Sequence, residues 1–115
     1  MVNKTIKFKD NEYQLSYPKV GQIIDIRVKE QQLSKGTVKD LIFGTTADID
    51  GYIYITTIAH IEVLLPQLVK DLKVPIQDLG LIDFQDLVNL YTEEIHPWLT
   101  EWNKQIKEKI NPKSE

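Results

Sequence analysis

The stretch DFQDLVNLYTEEIHPWLTEWNKQIKEKI, residues 83–110, decides the fold of this chain. Its apolar positions follow one another at intervals of four, three, four, three, four and four residues: Phe84, Val88, Tyr91, Ile95, Trp98, Trp102 and Ile106. This spacing places all of these side chains on one face of a helix. Both tryptophans of the chain lie on that face. The stretch therefore predicts a long helix against which the rest of the chain packs.

Pro97 lies inside this predicted helix. Proline has no backbone N–H to donate to the carbonyl of Glu93, and its ring crowds the preceding turn. We therefore expect a kink or a break at this position. The apolar spacing continues from Ile95 to Trp98 and Leu99, which favours one bent helix over two separate helices.

The composition indicates one soluble domain that covers residues 1–115. Cysteine is absent, which excludes disulfides, thiolate metal sites and cysteine nucleophiles and fits a reducing cytosol. The net charge of −3 arises from 17 acidic and 14 basic residues spread along the chain, without the clustered positive charge that nucleic acids require. The N-terminus lacks the apolar core of a signal peptide, and no apolar run approaches the roughly 18 residues of a membrane span. We expect a cytoplasmic protein that binds neither nucleic acid nor a membrane.

Residues 4–17 alternate between polar and apolar side chains as a β-hairpin does. The apolar members are Ile6 and Phe8 in the first strand and Tyr13, Leu15 and Tyr17 in the second. We predict a turn at Asp10-Asn11. A two-stranded hairpin is marginally stable alone in water, so its apolar face is expected to dock on the helices.

Two helices are predicted after the hairpin. Residues 20–33 exceed the length of a usual strand, and Gly36 follows where a C-terminal cap belongs. A shorter helix is predicted over residues 38–43. Thr37 is expected to cap it, with Asp40 three residues later as in a capping box.

The ambiguous stretch is residues 47–65, because its centre, Tyr-Ile-Tyr-Ile-Thr-Thr at 52–57, has the composition of a strand. Apolar residues spaced by four, three, four and three favour a helix instead: Tyr54, Ile58, Ile61, Leu65 and Leu68. We therefore predict a helix that Pro66 interrupts, followed by a short helical turn through Leu72. Asp83 is expected to cap the long helix.

Together these patterns predict a mainly α (α+β) fold. An N-terminal two-stranded β-hairpin, residues 4–17, precedes four to five helices in residues 19–110, the last of them long and kinked at Pro97. Residues 111–115 are expected to fray. No internal repeat or linker divides the chain, so a single domain is predicted.

Residues 46–53 resemble the middle of a calcium-binding loop, with Asp48 and Asp50 at its third and fifth positions and a glycine at the sixth. Thr46 and Thr57 would occupy the first and last positions, where most of the ligand charge belongs. We therefore prefer a helix start, with both carboxylates near its positive end.

The histidines do not form a recognisable metal motif. His60 and Glu62 are two residues apart and point to different sides of a helix, and we expect His60 and His96 to be partly exposed polar residues. The chain also lacks G-x-S-x-G, G-x-G-x-x-G and phosphate-cradling glycine loops. We expect neither an enzyme nor a bound cofactor or metal.

The aromatic stripe of the long helix has two interpretations. Its members are Tyr91, Ile95, Trp98, Leu99 and Trp102. They form either the core of the domain or, in part, an open groove for another protein, because aromatic residues are enriched at interface hot spots.

Three short motifs follow one another over most of the chain. They are Ile6-Lys-Phe8 with Glu12-Tyr13-Gln-Leu15 and Pro18; Leu64-Leu65-Pro66-Gln-Leu68; and Asp83-Phe84-Gln-Asp-Leu87 with Leu90-Tyr91 and Ile95-His-Pro97-Trp98-Leu99. In this order and spacing, the chain resembles the small tail assembly chaperones of long-tailed bacteriophages.

The resemblance implies a mostly helical protein of the host cytoplasm that binds the tape-measure protein and keeps it soluble during virion morphogenesis. Other tail proteins are further possible partners, and we expect the protein to self-associate. The residues predicted to contact the partner are Leu64, Leu65, Tyr91, Trp98 and Trp102. The alternative is a small structural virion protein, such as a connector or tail-completion subunit.

Overall fold

The structure, a computed structural model, describes residues 3–110. Its elements are β1 (Lys4–Phe8), β2 (Asn11–Leu15), α1 (Val20–Ser34), α2 (Val38–Ile42), α3 (Thr46–Leu64), α4 (Pro66–Leu72), a 3-10 turn (Ile76–Asp78), α5 (Leu81–Leu90), a π turn (Tyr91–Ile95) and α6 (His96–Ile110). The π turn joins α5 and α6 into one long, kinked helix. The predicted fold class, a mainly α chain with an N-terminal hairpin, is confirmed. The predicted fraying of residues 111–115 lies outside the described residues.

β1 and β2 form an antiparallel hairpin in which Ile6 pairs with Tyr13. The two-residue turn is Lys9-Asp10, one position earlier than predicted. Lys9 adopts φ +56°, a left-handed backbone that tight hairpin turns require. Ile6 and Leu15 are fully buried and belong to the core formed by the helices. The predicted docking of the hairpin on the helices is therefore confirmed.

α1 ends where the sequence predicted, at Lys35 and Gly36, which both have left-handed backbones with φ of +56° and +82°. The predicted capping of α2 is wrong. The Thr37 hydroxyl donates to the carbonyl oxygen of Ser34 at 2.6 Å, and α2 has no side-chain cap, so Thr37 and Asp40 form no capping box. The last carbonyls of α1 lack helical partners, and Thr37 lies close enough to satisfy one of them.

α3 runs through the ambiguous middle of the chain as one helix. It begins with a capping box: the Thr45 hydroxyl accepts from the Asp48 N–H, and the Asp48 carboxylate accepts from the Thr45 N–H. The residues of the calcium-loop resemblance lie inside this helix. Pro66 is the first residue of α4, where its missing N–H costs no helical hydrogen bond. The predicted helix with an interruption at Pro66 is confirmed.

The long helix starts two residues before the predicted cap. The carbonyl of Gly80 already accepts the Phe84 N–H at 2.9 Å, so Gly80 is the N-cap residue. The prediction that Asp83 caps the helix is wrong, because the helical ladder begins before it. Asp83 lies in the first turn instead, where its carboxylate interacts favourably with the positive helix end.

The long helix is kinked, and it contains a π turn that ends two residues before Pro97. The His96 N–H donates to the carbonyl of Tyr91, five residues earlier, in place of the usual i−4 acceptor. A wider turn and a proline are both established causes of helix bending, and here only His96 lies between them. The predicted bent helix is confirmed.

α3 packs against α1 on one side and against the start of α5 on the other. Thr56 of α3 donates a hydrogen bond to Glu30 of α1, whereas the ring of Tyr54 lies 5.4 Å from that of Phe84 in an edge-to-face contact. Residues that are two positions apart in a helix, such as Tyr54 and Thr56, are separated by about 200° around the helix axis. α1 and the start of α5 therefore lie on opposite sides of α3.

Within residues 3–110, no single helix combines the length and the apolar composition of a membrane span. Only the pair Thr46–Leu64 and Pro66–Asp78 passes such a test of length and composition, and that pair bends by 106°.

Candidate functional site

A groove of about 290 Å³ lies between α1 and α6. Its walls include Ile23 and Ile26 from α1 and Leu99 and Trp102 from α6. Polar side chains form its floor: Arg27, Tyr52, Thr56, His60 and Tyr91. Sites for drug-sized ligands usually measure about 300–1,000 Å³. The groove is at the lower limit of that range and suits one or two side chains of a partner protein better than a cofactor.

α1 presents a second apolar row beside this groove. Val20, Ile24 and Val28 follow one another at intervals of four, and 74%, 56% and 47% of their surfaces are exposed. Residues four apart are neighbours on one helix face. We term these three residues the α1 stripe. Ile23 and Arg27, which line the groove, precede Ile24 and Val28 in sequence, so the stripe lies on the face of α1 next to the groove. The groove and the stripe together are termed the α1–α6 surface.

A buried carboxylate lies beneath the groove. Glu30 is only 2% exposed, and each of its oxygens accepts one hydrogen bond. Arg27 Nη1 donates to Oε1 at 2.9 Å, and the Thr56 hydroxyl donates to Oε2 at 2.6 Å. A buried charge is stable only when it is paired in this way. The Glu30 carboxylate therefore holds α1 against α3 and orients Arg27 along the groove.

His60 extends this network toward the long helix. Its Nδ1 lies 2.7 Å from the backbone oxygen of Thr56, which can only accept, so Nδ1 carries the hydrogen and Nε2 is left as an acceptor. The His60 ring lies 4.9 Å from the ring of Tyr91. Burial lowers the pKa of His60 and raises the pKa of Tyr91. Both side chains are therefore uncharged at neutral pH.

Three aromatic rings hold one end of the groove together. Tyr17, in the segment between β2 and α1, stacks on Trp98 with ring centroids 4.2 Å apart and on Trp102 with centroids 5.3 Å apart. Stacked aromatic pairs contribute about 0.5–1.5 kcal/mol beyond the burial of their area. This stack fixes the start of α1 relative to α6, and with it the width of the groove.

The fully buried polar atoms of the floor are all hydrogen-bonded. Among residues 3–110, no buried side-chain nitrogen or oxygen lacks a hydrogen-bond partner, and no group of three or more histidine and carboxylate side chains is placed to hold a metal ion. The α1–α6 surface therefore combines apolar walls and an exposed apolar stripe with a floor whose fully buried polar atoms are already paired. Such a surface is suited to the docking of another polypeptide.

The residues predicted to contact a partner fall into two groups, one buried in the core and one half-buried. Leu64, Leu65 and Tyr91 are buried in the core, and only Tyr91 of these three also lines the groove. Trp98 and Trp102 are half-buried beside Tyr17, and Trp102 lines the groove. Contact with a partner stays a prediction for the two tryptophans. The core interpretation is confirmed for Tyr91, Ile95 and Leu99, which are buried, whereas the open-groove interpretation stays a prediction.

The residues beneath the groove were not predicted from the amino-acid sequence. The expectation that both histidines are partly exposed is wrong for His60, which is buried, while His96 is exposed. Glu30 was not recognised because most glutamates are solvated. One signal was present: Thr56 and His60 are four residues apart and therefore share a face of α3. Their pairing with Glu30 depends on how α1 packs, which helical periodicity does not specify.

Comparisons with known proteins identify no relative: no protein-family model, no curated protein and no solved structure matches this chain. Function must therefore be inferred from the α1–α6 surface and from the motifs of the sequence.

Proposed function

We propose that this protein is a phage tail assembly chaperone, which binds the tape-measure protein in the host cytoplasm and keeps it soluble during tail assembly. The supporting observation is the α1–α6 surface, which leaves Val20, Ile24 and Val28 in solvent although they lie at regular helical spacing. Monomeric proteins rarely expose contiguous apolar patches without a binding role. The resemblance to tail assembly chaperones, which covers most of the chain, indicates the tape-measure protein as the partner.

The shape of the α1–α6 surface suits a helical partner. A tape-measure protein is expected to be a very long helical chain with apolar rows along its surface. Side chains at intervals of four form ridges that pack between the ridges of another helix, so the α1 stripe is a natural contact for such a row. The side chains of Ile23, Leu99 and Trp102 in the groove would extend this contact.

The size of the surface implies modest affinity for each copy. The α1 stripe contains only three exposed apolar side chains, whereas each partner in a typical stable interface buries roughly 800 Å². A long partner compensates, because many copies can bind along it. Apolar contacts are expected to dominate this binding, so it should tolerate salt. The role proposed is one of binding, without catalysis.

Co-expression with the tape-measure protein of the same phage tests the proposal. The wild-type protein should keep the tape-measure protein in the soluble fraction at a high copy ratio. Ile24→Glu places a charge in the α1 stripe at an exposed position, so it should fold but fail to solubilise the partner. Phe43→Glu is the matched control, because Phe43 is 83% exposed and lies outside the α1–α6 surface.

Mass spectrometry of purified virions separates this proposal from the structural alternative. An assembly chaperone leaves the particle, whereas a connector or tail-completion subunit stays. If the tape-measure protein is insoluble with and without this chain, and the chain is stoichiometric in mature particles, the structural role replaces the chaperone role.

A further inference from the structure

His60 presents an unused hydrogen-bond acceptor to the groove between α1 and α6. The residue is only 7% exposed and lines the groove. Its hydrogen bonds within residues 3–110 all involve Nδ1, so Nε2 keeps a lone pair without a donor. In the same range, every fully buried side-chain nitrogen and oxygen has a partner. Nε2 is therefore not sealed inside the core, and its lone pair is accessible from the groove.

A neutral imidazole nitrogen on the floor selects what can fill the groove. When a ligand displaces water from the floor, Nε2 keeps a hydrogen bond only if the ligand supplies a donor. A carboxylate has only acceptor oxygens at neutral pH and would face this lone pair unfavourably. A cation is disfavoured as well, because Arg27 lines the groove and both oxygens of Glu30 already accept hydrogen bonds. The occupant is therefore an uncharged donor.

The walls of the groove favour an aromatic ring as the body of that donor. Trp102 offers a half-buried indole, and Arg27, held by Glu30 at 2.9 Å, offers a planar guanidinium. Aromatic rings pair with indoles, and guanidinium groups stack on aromatic faces. Ile26 and Leu99 supply apolar contacts beside them. The cavity of about 290 Å³ accommodates such a ring, whereas a serine or threonine side chain would leave most of it empty.

We propose that the groove is a binding site for a tyrosine side chain of a partner polypeptide, whose phenol O–H donates to Nε2 of His60. The ring lies among Ile26, Leu99 and Trp102, and neighbouring residues of the same polypeptide contact the α1 stripe. The inference rests on the proposed function only for the identity of that polypeptide. The experiments below use no tape-measure protein, so the tyrosine site and the chaperone role can fail separately.

The site should distinguish tyrosine from phenylalanine. A phenylalanine ring fits the same walls, but it displaces water from Nε2 without supplying a donor. Sites that hydrogen-bond a hydroxyl reject the analogue that lacks it, so we expect a preference of at least about tenfold for tyrosine. A single side chain makes few contacts, and dissociation constants should therefore lie in the millimolar range.

NMR titration of the full chain with N-acetyltyrosinamide and N-acetylphenylalaninamide tests the site. The tyrosine compound should shift signals of the groove residues and saturate them at millimolar concentration, at least about tenfold below the phenylalanine compound. The nitrogen signal of His60 Nε2 should move with the tyrosine compound alone. In His60→Leu the acceptor is absent, so both compounds should bind equally. Phe43→Glu, at an exposed position outside the groove, should keep the preference. Circular dichroism establishes that each variant is folded.

Equal affinities of the two compounds for the wild type, or an Nε2 signal that does not respond, would overturn the inference. If His60→Leu does not fold, these two wild-type measurements decide alone. Tighter binding of N-acetyltryptophanamide would assign the groove to an indole and overturn the choice of tyrosine.

A synthetic amphipathic helix with a central tyrosine, and leucines four residues to either side, distinguishes a polypeptide occupant from a free phenol. This peptide should bind more tightly than N-acetyltyrosinamide, because its leucines reach the α1 stripe. Equal affinity of the peptide and the amide would show a site for a small phenol and overturn the polypeptide occupant.

Discussion

Removal of the Thr56 hydroxyl tests the buried network beneath the groove. In Thr56→Val the side chain keeps nearly the same shape, but Glu30 loses the donor that lies 2.6 Å from its Oε2. Glu30 is too deeply buried for water to replace that donor. Hydrogen bonds to charged groups contribute about 1.5–3 kcal/mol, so the free energy of unfolding should fall by about 2 kcal/mol.

Urea unfolding measures this loss. With a slope of about 2 kcal/mol per molar urea, the midpoint should fall by about 1 M. Thr57→Val is the matched control, because Thr57 is fully buried one position further along α3. Its hydroxyl donates to the carbonyl of Ile53 in the same helix, at 2.7 Å, and that carbonyl keeps its helical partner. The control should therefore lose less than about 1 kcal/mol.

A double-mutant cycle shows whether the loss of stability in Thr56→Val arises from its missing hydrogen bond to Glu30. In Glu30→Leu the carboxylate is absent, so the further change Thr56→Val no longer leaves a buried charge without its donor. The cycle should therefore give a coupling free energy of about 1–2 kcal/mol between the two substitutions. The Arg27 side chain is already 64% exposed, so it can remain in solvent in these variants. The reasoning is refuted if Thr56→Val costs no more than Thr57→Val, or if the two substitutions are additive.

Two further predictions concern pH and the hairpin. Burial holds the pKa of His60 below its unfolded value, so the unfolded chain takes up the proton first and stability should fall as pH drops through roughly 6.5. Urea unfolding at neutral and mildly acidic pH should show a smaller loss in His60→Gln than in the wild type, and equal losses would contradict the assignment. Deletion of residues 1–17 removes the fully buried Ile6 and Leu15 and the hydrogen bond from Tyr13 to Asp71, so the remaining chain should aggregate or lose most of its stability. Size-exclusion chromatography and thermal unfolding measure this, and an equally stable, monodisperse truncation would show that the hairpin is an independent arm.

The elements of this fold could be predicted from local patterns. Alternation of side chains located the hairpin, and the three-and-four spacing identified α3 although its centre, residues 52–57, is composed like a strand. Pro97 indicated the bend of the long helix. These predictions succeeded because periodicity and proline geometry act within a few residues of the chain. The two wrong predictions, of helix caps at Thr37 and Asp83, also concern only a few neighbouring residues. The exact end of a helix depends on competition between neighbouring hydrogen bonds.

The surface that supports the functional proposal was not predictable in this way. Leu64 and Leu65 were expected to contact a partner and are core residues, whereas Val20 and Ile24 received no such role and are exposed. Apolar residues at helical spacing specify that one face of a helix will be buried, but not against which element. The arrangement of α1, α3 and α6 decides that.

The amino-acid sequence by itself thus determined the order and type of the helices and strands, because these follow from interactions between residues close in the chain. Only the tertiary structure decided which apolar rows remain in solvent and which polar groups meet beneath the groove. Glu30 and Thr56 are 26 residues apart, and their hydrogen bond exists because α1 packs on one particular face of α3. Long-range packing of this kind depends on all the faces that compete for burial, which no single stretch of sequence contains.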